Sequence, residues 1–237
     1  MTDWTPVIQK HFPNAQDGVT VTQEIIQKLD TQLGLTPSDV LLSTSICPDE
    51  LNVLSTKFAD SFIGPFFLGG LAGYPFGGLT AMTAYSHHVP DEGAAFILYG
   101  PHIGITEGGA TGVTSRPGKA NEGASCGALM LALSRLQAAH EKGETYHRAA
   151  EEPDYQQAAL ENMLAQHQAR ILTAEDPKRE ISLVAYELIH KRILETVEAV
   201  KSEFHGKHIV LLGGILINVH PDHQDYFETR HYEVINL

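Results

Sequence analysis

Cysteine is scarce in this 237-residue chain: Cys47 and Cys126 are the only two, so no disulfide framework can form and at most one bridge could. Basic charge is also in short supply. Sixteen Lys and Arg stand against 29 Asp and Glu, a net charge of -13, and no run of basic residues relieves it. Nucleic-acid phosphate and anionic lipid are therefore disfavoured as partners. No stretch approaches the roughly 18 uninterrupted apolar residues of a membrane span. The opening "MTDWTPVIQKHFPNAQDG" holds no basic segment followed by an apolar one. Neither an internal repeat nor a low-complexity tract stands out. The expectation is a cytoplasmic protein with no membrane and no nucleic-acid partner.

What is present is apolar patterning, at 43% hydrophobic residues, enough for one large core or two small ones. A single domain over residues 1–237 is the simpler reading. "TQEIIQKLDTQL" repeats Ile25, Ile26, Leu29 and Leu33 at helical spacing and stops at Gly34. "SDVLLSTSIC" reads as a buried strand running toward Cys47, and Pro48 with "DELNVLSTKFADSF" as a helix. The segment from Phe66 to Gly78 is too broken by glycine for a helix and reads as a loop or packed crossover. "AAFILYGPH" is a second apolar strand ending at Gly100, with His102 just beyond. "TEGGATGVTSRPGKANEGAS" has the composition of a hairpin or mobile loop. It delivers the chain to a helix carrying Leu129, Leu133 and Leu136, with Ser125 as the candidate cap and Gly143 as the stop. Helices follow at Tyr155–Thr173 and Glu180–Phe204, and "KHIVLLGGILINV" has the continuous apolar character of a strand covered on both faces. Strands alternating with helices predict an α/β fold with a mainly parallel central sheet flanked by helices.

In such sheets functional residues gather beyond the carboxyl ends of the strands. Cys47, His102 and Cys126 all fall at element ends of that kind. Two thiolates and one imidazole match a zinc (Zn2+) site with its fourth corner open, because closed structural sites take a fourth protein ligand. Cys126, at a helix start, would be favoured as thiolate by the exposed amides and the dipole. The intervals are too long for a compact zinc-finger motif, and both cysteines also fit as buried small hydrophobes. A third reading makes Cys126 a nucleophile with His102 as its base.

Four separated segments, "SICPDELN", "LGGLAGYPFGGLTAMTAYSHHVP", "YGPHIGI" and "SCGA", occur in this order. They resemble the limiting-carbon-dioxide-inducible B/C family, related in fold to β-class carbonic anhydrases and sometimes called θ-class. "LLGGILIN" matches more loosely. The resemblance implies zinc held by Cys47, His102 and Cys126 on a β-carbonic-anhydrase-like core that forms a homodimer. It also implies reversible hydration of CO2 to bicarbonate; a catalytically silent zinc-binding member is the alternative. "CPD" repeats the Cys-x-Asp spacing of β-class enzymes, in which the Asp pairs with an Arg and gates the open position; Asp49 fits that role. Leu51 stands where that Arg is usual, so another cation is needed, and Arg116 between His102 and Cys126 is the candidate. Asp49 also fits as an ordinary first-turn acid of the helix after Pro48.

A pocket for CO2 needs apolar walls, and Phe66, Leu68, Tyr74 and Phe76 offer them. The glycines between them would let backbone approach closely or simply let helices pack. Proton export points to "SHHVP", with His88 as the catalytic candidate beside His87, although either also suits a surface position. His220, His223 and His231 propose no second metal site.

Overall fold

The computed structural model describes residues 3–149 and 153–237. In chain order its elements are α1 (Thr5–Gln9), β1 (Gln16–Asp17), α2 (Gly18–Leu33), β2 (Val40–Ser45), α3 (Val53–Ser61), β3 (Ile63–Phe67), α4 (Gly78–Ser86), β4 (Ala94–Tyr99) and β5 (His102–Gly104). There follow β6 (Val113–Thr114), β7 (Gly123–Ala124), α5 (Gly127–Glu141), α6 (Tyr155–Ala165), α7 (Gln168–Thr173), α8 (Pro177–Val200), β8 (His208–Asn218) and β9 (Tyr226–Asn236). The central sheet runs β1-β9-β8-β4-β2-β3, with β5 also on β8. Pairings among β8, β4, β5, β2 and β3 are parallel; β9 is antiparallel to β8 and β1 to β9.

The strands' side-chain alternation divides the core into two layers. Ala95, Ile97 and Tyr99 of β4, with Ile209 and Leu211 of β8, face α8 and α4. Phe96 and Leu98, with Val210 and Leu212, face α2 and α3. A third cluster, built largely from α5, α6 and α8, packs with Cys47 and Cys126.

Helix boundaries follow capping chemistry rather than hydrophobic period alone. Asp17 accepts from the amides of Val19 and Thr20, so α2 starts four residues before Thr22, and Gly34 closes it at φ 66°. Asp176 does the same for α8, which begins at Pro177 and gives way to a short 3-10 turn after Val200. The helix expected across Tyr155–Thr173 is divided into α6 and α7 at His167.

One expectation is corrected. Residues Asp49–Asn52 form a turn, not the start of a helix, because Asp49 Oδ1 accepts the Leu51 amide and Asn52 donates its side chain to Cys47 O; α3 begins at Val53. The glycine-rich stretch is a loop with a short 3-10 turn at Leu71–Gly73, entered from the end of β3 and leading into α4. Strand β9 escaped notice because polar residues interrupt "YFETRHYEVIN".

The position of His102 comes from a break in β4. At Gly100 and Pro101 the strand steps over Gly214 of β8 and resumes as β5, with His102 opposite Leu216. Gly100 has φ 150°, and a Cβ there would lie 1.8 Å from Gly214 O, a backbone atom with nowhere to go. Gly100→Ala is expected to destabilise the fold by about 3 kcal/mol, read as a lowered midpoint in urea unfolding; an unchanged midpoint would contradict the close approach.

Candidate metal centre

Three segments converge at the carboxyl edge of the parallel strands. Cys47 follows β2 by two residues, His102 opens β5, and Cys126 is the N-cap of α5, the place the sequence reading gave to Ser125. Their ligand atoms lie within 4.8 Å of one another, with the two sulfurs 3.9 Å apart. Among the described residues this is the group of His, Cys and carboxylate side chains with metal-ligand spacing.

All three are buried, and His102 Nε2 has no hydrogen-bond partner. A buried polar atom left unpaired costs about 1–3 kcal/mol, so its presence calls for a ligand. A cation between this nitrogen and the two sulfurs would satisfy it, and the soft-to-borderline donor set fits a divalent transition-type ion. The residues therefore fit a metal.

The electrostatics agree. The hydrogen bond to Cys126, then burial, push the Cys47 thiol far above its usual range. The contact with Cys47 pulls Cys126 below that range against its burial, helped by the amides of Leu129 and Ala128 at the helix start. Burial disfavours a charged His102, but contact with Cys47 and with Asn218 outweighs this and raises it.

Asp49 stands at the rim, its Oδ2 3.8 Å from His102 Nε2. Arg116 reaches it across the β6–β7 hairpin and grips both carboxylate oxygens, Nη1 to Oδ1 and Nη2 to Oδ2, each at 3.0 Å. Arg116 also pairs with Glu50 and donates to Ala124 O at 2.9 Å, which ties the grip to the residue two before Cys126. Burial would raise the Asp49 carboxyl, but the Arg116 hydrogen bonds and the Leu51 amide hold it below the usual carboxylate range.

Other expected residues lie elsewhere. Leu68 and Tyr74 are buried in the core under α4 and α8, with Phe66 and Phe76 packed against them; Ala72 is the member of that stretch that packs with the two cysteines. Gly73, at φ 85°, instead lets the stretch press on Gly100 O, where a Cβ would come within 2.3 Å. His88 is exposed, its ring against Phe66 at 5.9 Å, in the segment that enters β4 at its amino end. Phe66 is the fourth residue of β3 and pairs with Ser43 of β2. His220 and His223 line a separate cavity of about 290 Å³ with Glu122 and Asp222.

Sequence reading missed Asn218, the buried last residue of β8, whose Oδ1 is 2.6 Å from His102 Nδ1. A single polar residue closing the apolar run "LLGGILIN" was the available signal. Ser125 and Asn52, both buried, complete its surroundings.

Among the described residues no helix is long and apolar enough to cross a membrane. No curated protein matches the chain. Residues 18–236 match the family model described as limiting CO2-inducible proteins B/C, beta carbonic anhydrases. The crystal structure of PtLCIB4, a homolog of the limiting CO2-inducible protein LCIB, is similar at 29% identity and a TM-score of 0.88, covering 98% of this chain and 95% of that one. The crystal structure of LCIB is similar in fold at 20% identity and a TM-score of 0.73, covering 98% and 95%. With the metal-type cluster on that shared fold, the chain belongs to the limiting CO2-inducible protein B/C family of β-carbonic anhydrases.

Proposed function

We propose that the chain is a zinc-dependent carbonic anhydrase interconverting CO2 and bicarbonate. The observation that carries this is the conjunction of an orphaned His102 Nε2 facing two thiols with a carboxylate held off that locus by a two-point arginine grip. Cys47, His102 and Cys126 would hold the ion. Zinc there would supply the Lewis acidity that turns water into a nucleophile. Two thiolates cancel the ion's charge, so a water pKa near 7, known for three-histidine sites, is not carried over.

The protein's own groups do the rest. Asp49 Oδ2 would accept a hydrogen bond from the attacking water and turn the water's oxygen lone pair toward the carbon of CO2, the proton of the hydration step leaving to solvent. Arg116 keeps Asp49 ionised and fixes its direction. Ala72 and Leu129, both buried in one cluster with the cysteines, make the surroundings of the thiols apolar, which suits a small nonpolar substrate. The same arginine argues against the silent reading, because a carboxylate engaged at both oxygens is restrained from closing on the ion. The hydrolase reading is weakened by the burial of Cys126 and by the second thiol beside it, which has no task there. A homodimer is part of the proposal; Ile63 and Phe67, exposed on edge strand β3, are a surface it would cover.

Stopped-flow CO2 hydration on samples of measured zinc content tests this. Rate should scale with zinc, vanish on chelation and return on adding zinc back. Hydration that survives complete chelation would sink the proposal, and zinc-replete protein without hydration would hand the case to the silent reading.

A further inference from the structure

We infer that Asn218 is a positioning residue that fixes which nitrogen of His102 carries hydrogen, leaving Nε2 with a bare lone pair on the side of the sulfurs. Its two side-chain ends are already assigned by their neighbours. Nδ2 donates to Leu51 O at 3.0 Å and lies 3.3 Å from Asn52 Oδ1, so that end must be the NH2. Oδ1 therefore points at the imidazole, 2.6 Å from Nδ1, and also accepts from Ser125 Oγ at 3.2 Å. An unprotonated Nδ1 at that distance would set lone pair against lone pair. Nδ1 must carry the hydrogen and donate, which leaves Nε2, the buried atom with no partner, as the one free to ligate.

The arrangement reaches further than a single hydrogen bond. Asn218 closes β8, on which β5 and therefore His102 is registered, and its amide holds the turn after Cys47 through Leu51 O. Ser125 immediately precedes Cys126. One buried amide thus touches the surroundings of all three ligands and prepares the nitrogen for a metal before any arrives. Histidine ligands whose second nitrogen is held in this way bind metal more tightly, and losing the partner costs about 10- to 100-fold in affinity.

This inference rests on reading the cluster as a metal site, and its first test does not need the metal. In the zinc-free full-length chain at alkaline pH, 15N NMR of the ring should find His102 protonated at Nδ1, whereas free histidine prefers Nε2. Asn218→Leu should move the hydrogen to Nε2 and weaken zinc binding about 10- to 100-fold in chelator competition. Asn218→Asp, which keeps the acceptor, should retain Nδ1–H and more of the affinity than the leucine variant. A wild-type ring protonated at Nε2 overturns the inference, as does an aspartate variant that falls as far as the leucine one. Wild-type protein that shows the Nδ1–H ring yet binds no zinc would instead fault the proposed function.

Discussion

Cys126→Ser and His102→Ala are each expected to lose zinc and, with it, all measurable CO2 hydration. The reason is geometric. The ligand atoms sit within 4.8 Å of one another at the meeting point of three chain segments, and no fourth Cys or His is grouped with them among the described residues. Serine replaces a sulfur that the helix start already favours as thiolate by a hydroxyl that does not ionise at neutral pH. Alanine removes the imidazole whose Nε2 has no other partner. Zinc per chain by elemental analysis, set beside the hydration rate, checks this; either variant retaining full zinc would show that the side chain is not a ligand.

Asp49→Ala and Arg116→Ala should behave in the opposite way, keeping zinc while hydration falls by about 10²- to 10⁴-fold. In the first, the hydrogen acceptor beside the reacting water is gone. In the second, the acceptor remains but loses both of its 3.0 Å contacts and becomes free to turn toward the cluster. Arg116→Lys should rescue little, because an ammonium cannot occupy both oxygens in one plane. Zinc retention with lost rate separates these variants from the ligand variants, and an unchanged rate in Asp49→Ala would remove the carboxylate from the mechanism. The pair also leaves a mark on stability. The folded Asp49 carboxyl lies below its unfolded value of about 3.9, so its contribution is present above that pH and is lost as pH falls through the folded value. Arg116→Ala should therefore flatten that acid limb.

The three cluster residues were legible because each is the one residue of its kind at the edge of an apolar segment: Cys47 after "VLLSTSI", His102 after "AAFILYGP", Cys126 before the leucine-patterned helix. Arg116 could be nominated only by position, since its contact with Asp49 depends on how the β6–β7 hairpin folds back, which no periodicity encodes. Asn218 lay outside the reading because its partners are remote in sequence: its bond to His102 spans 116 residues. Cap placement failed by one residue at α5, where a thiol took the position expected of a hydroxyl.

His102 is registered on β8 by a three-residue ladder, His102–Gly104 against Leu216–Asn218, while Arg116 rides on a hairpin whose paired strands are two residues each. The sheet thereby fixes the imidazole, whereas Arg116 and Cys126, which follows β7 by two residues, both depend on how the ribbon closes. Shortening the ribbon between Thr114 and Gly123 would shift the guanidinium and the second thiol together while the histidine stays where β8 holds it.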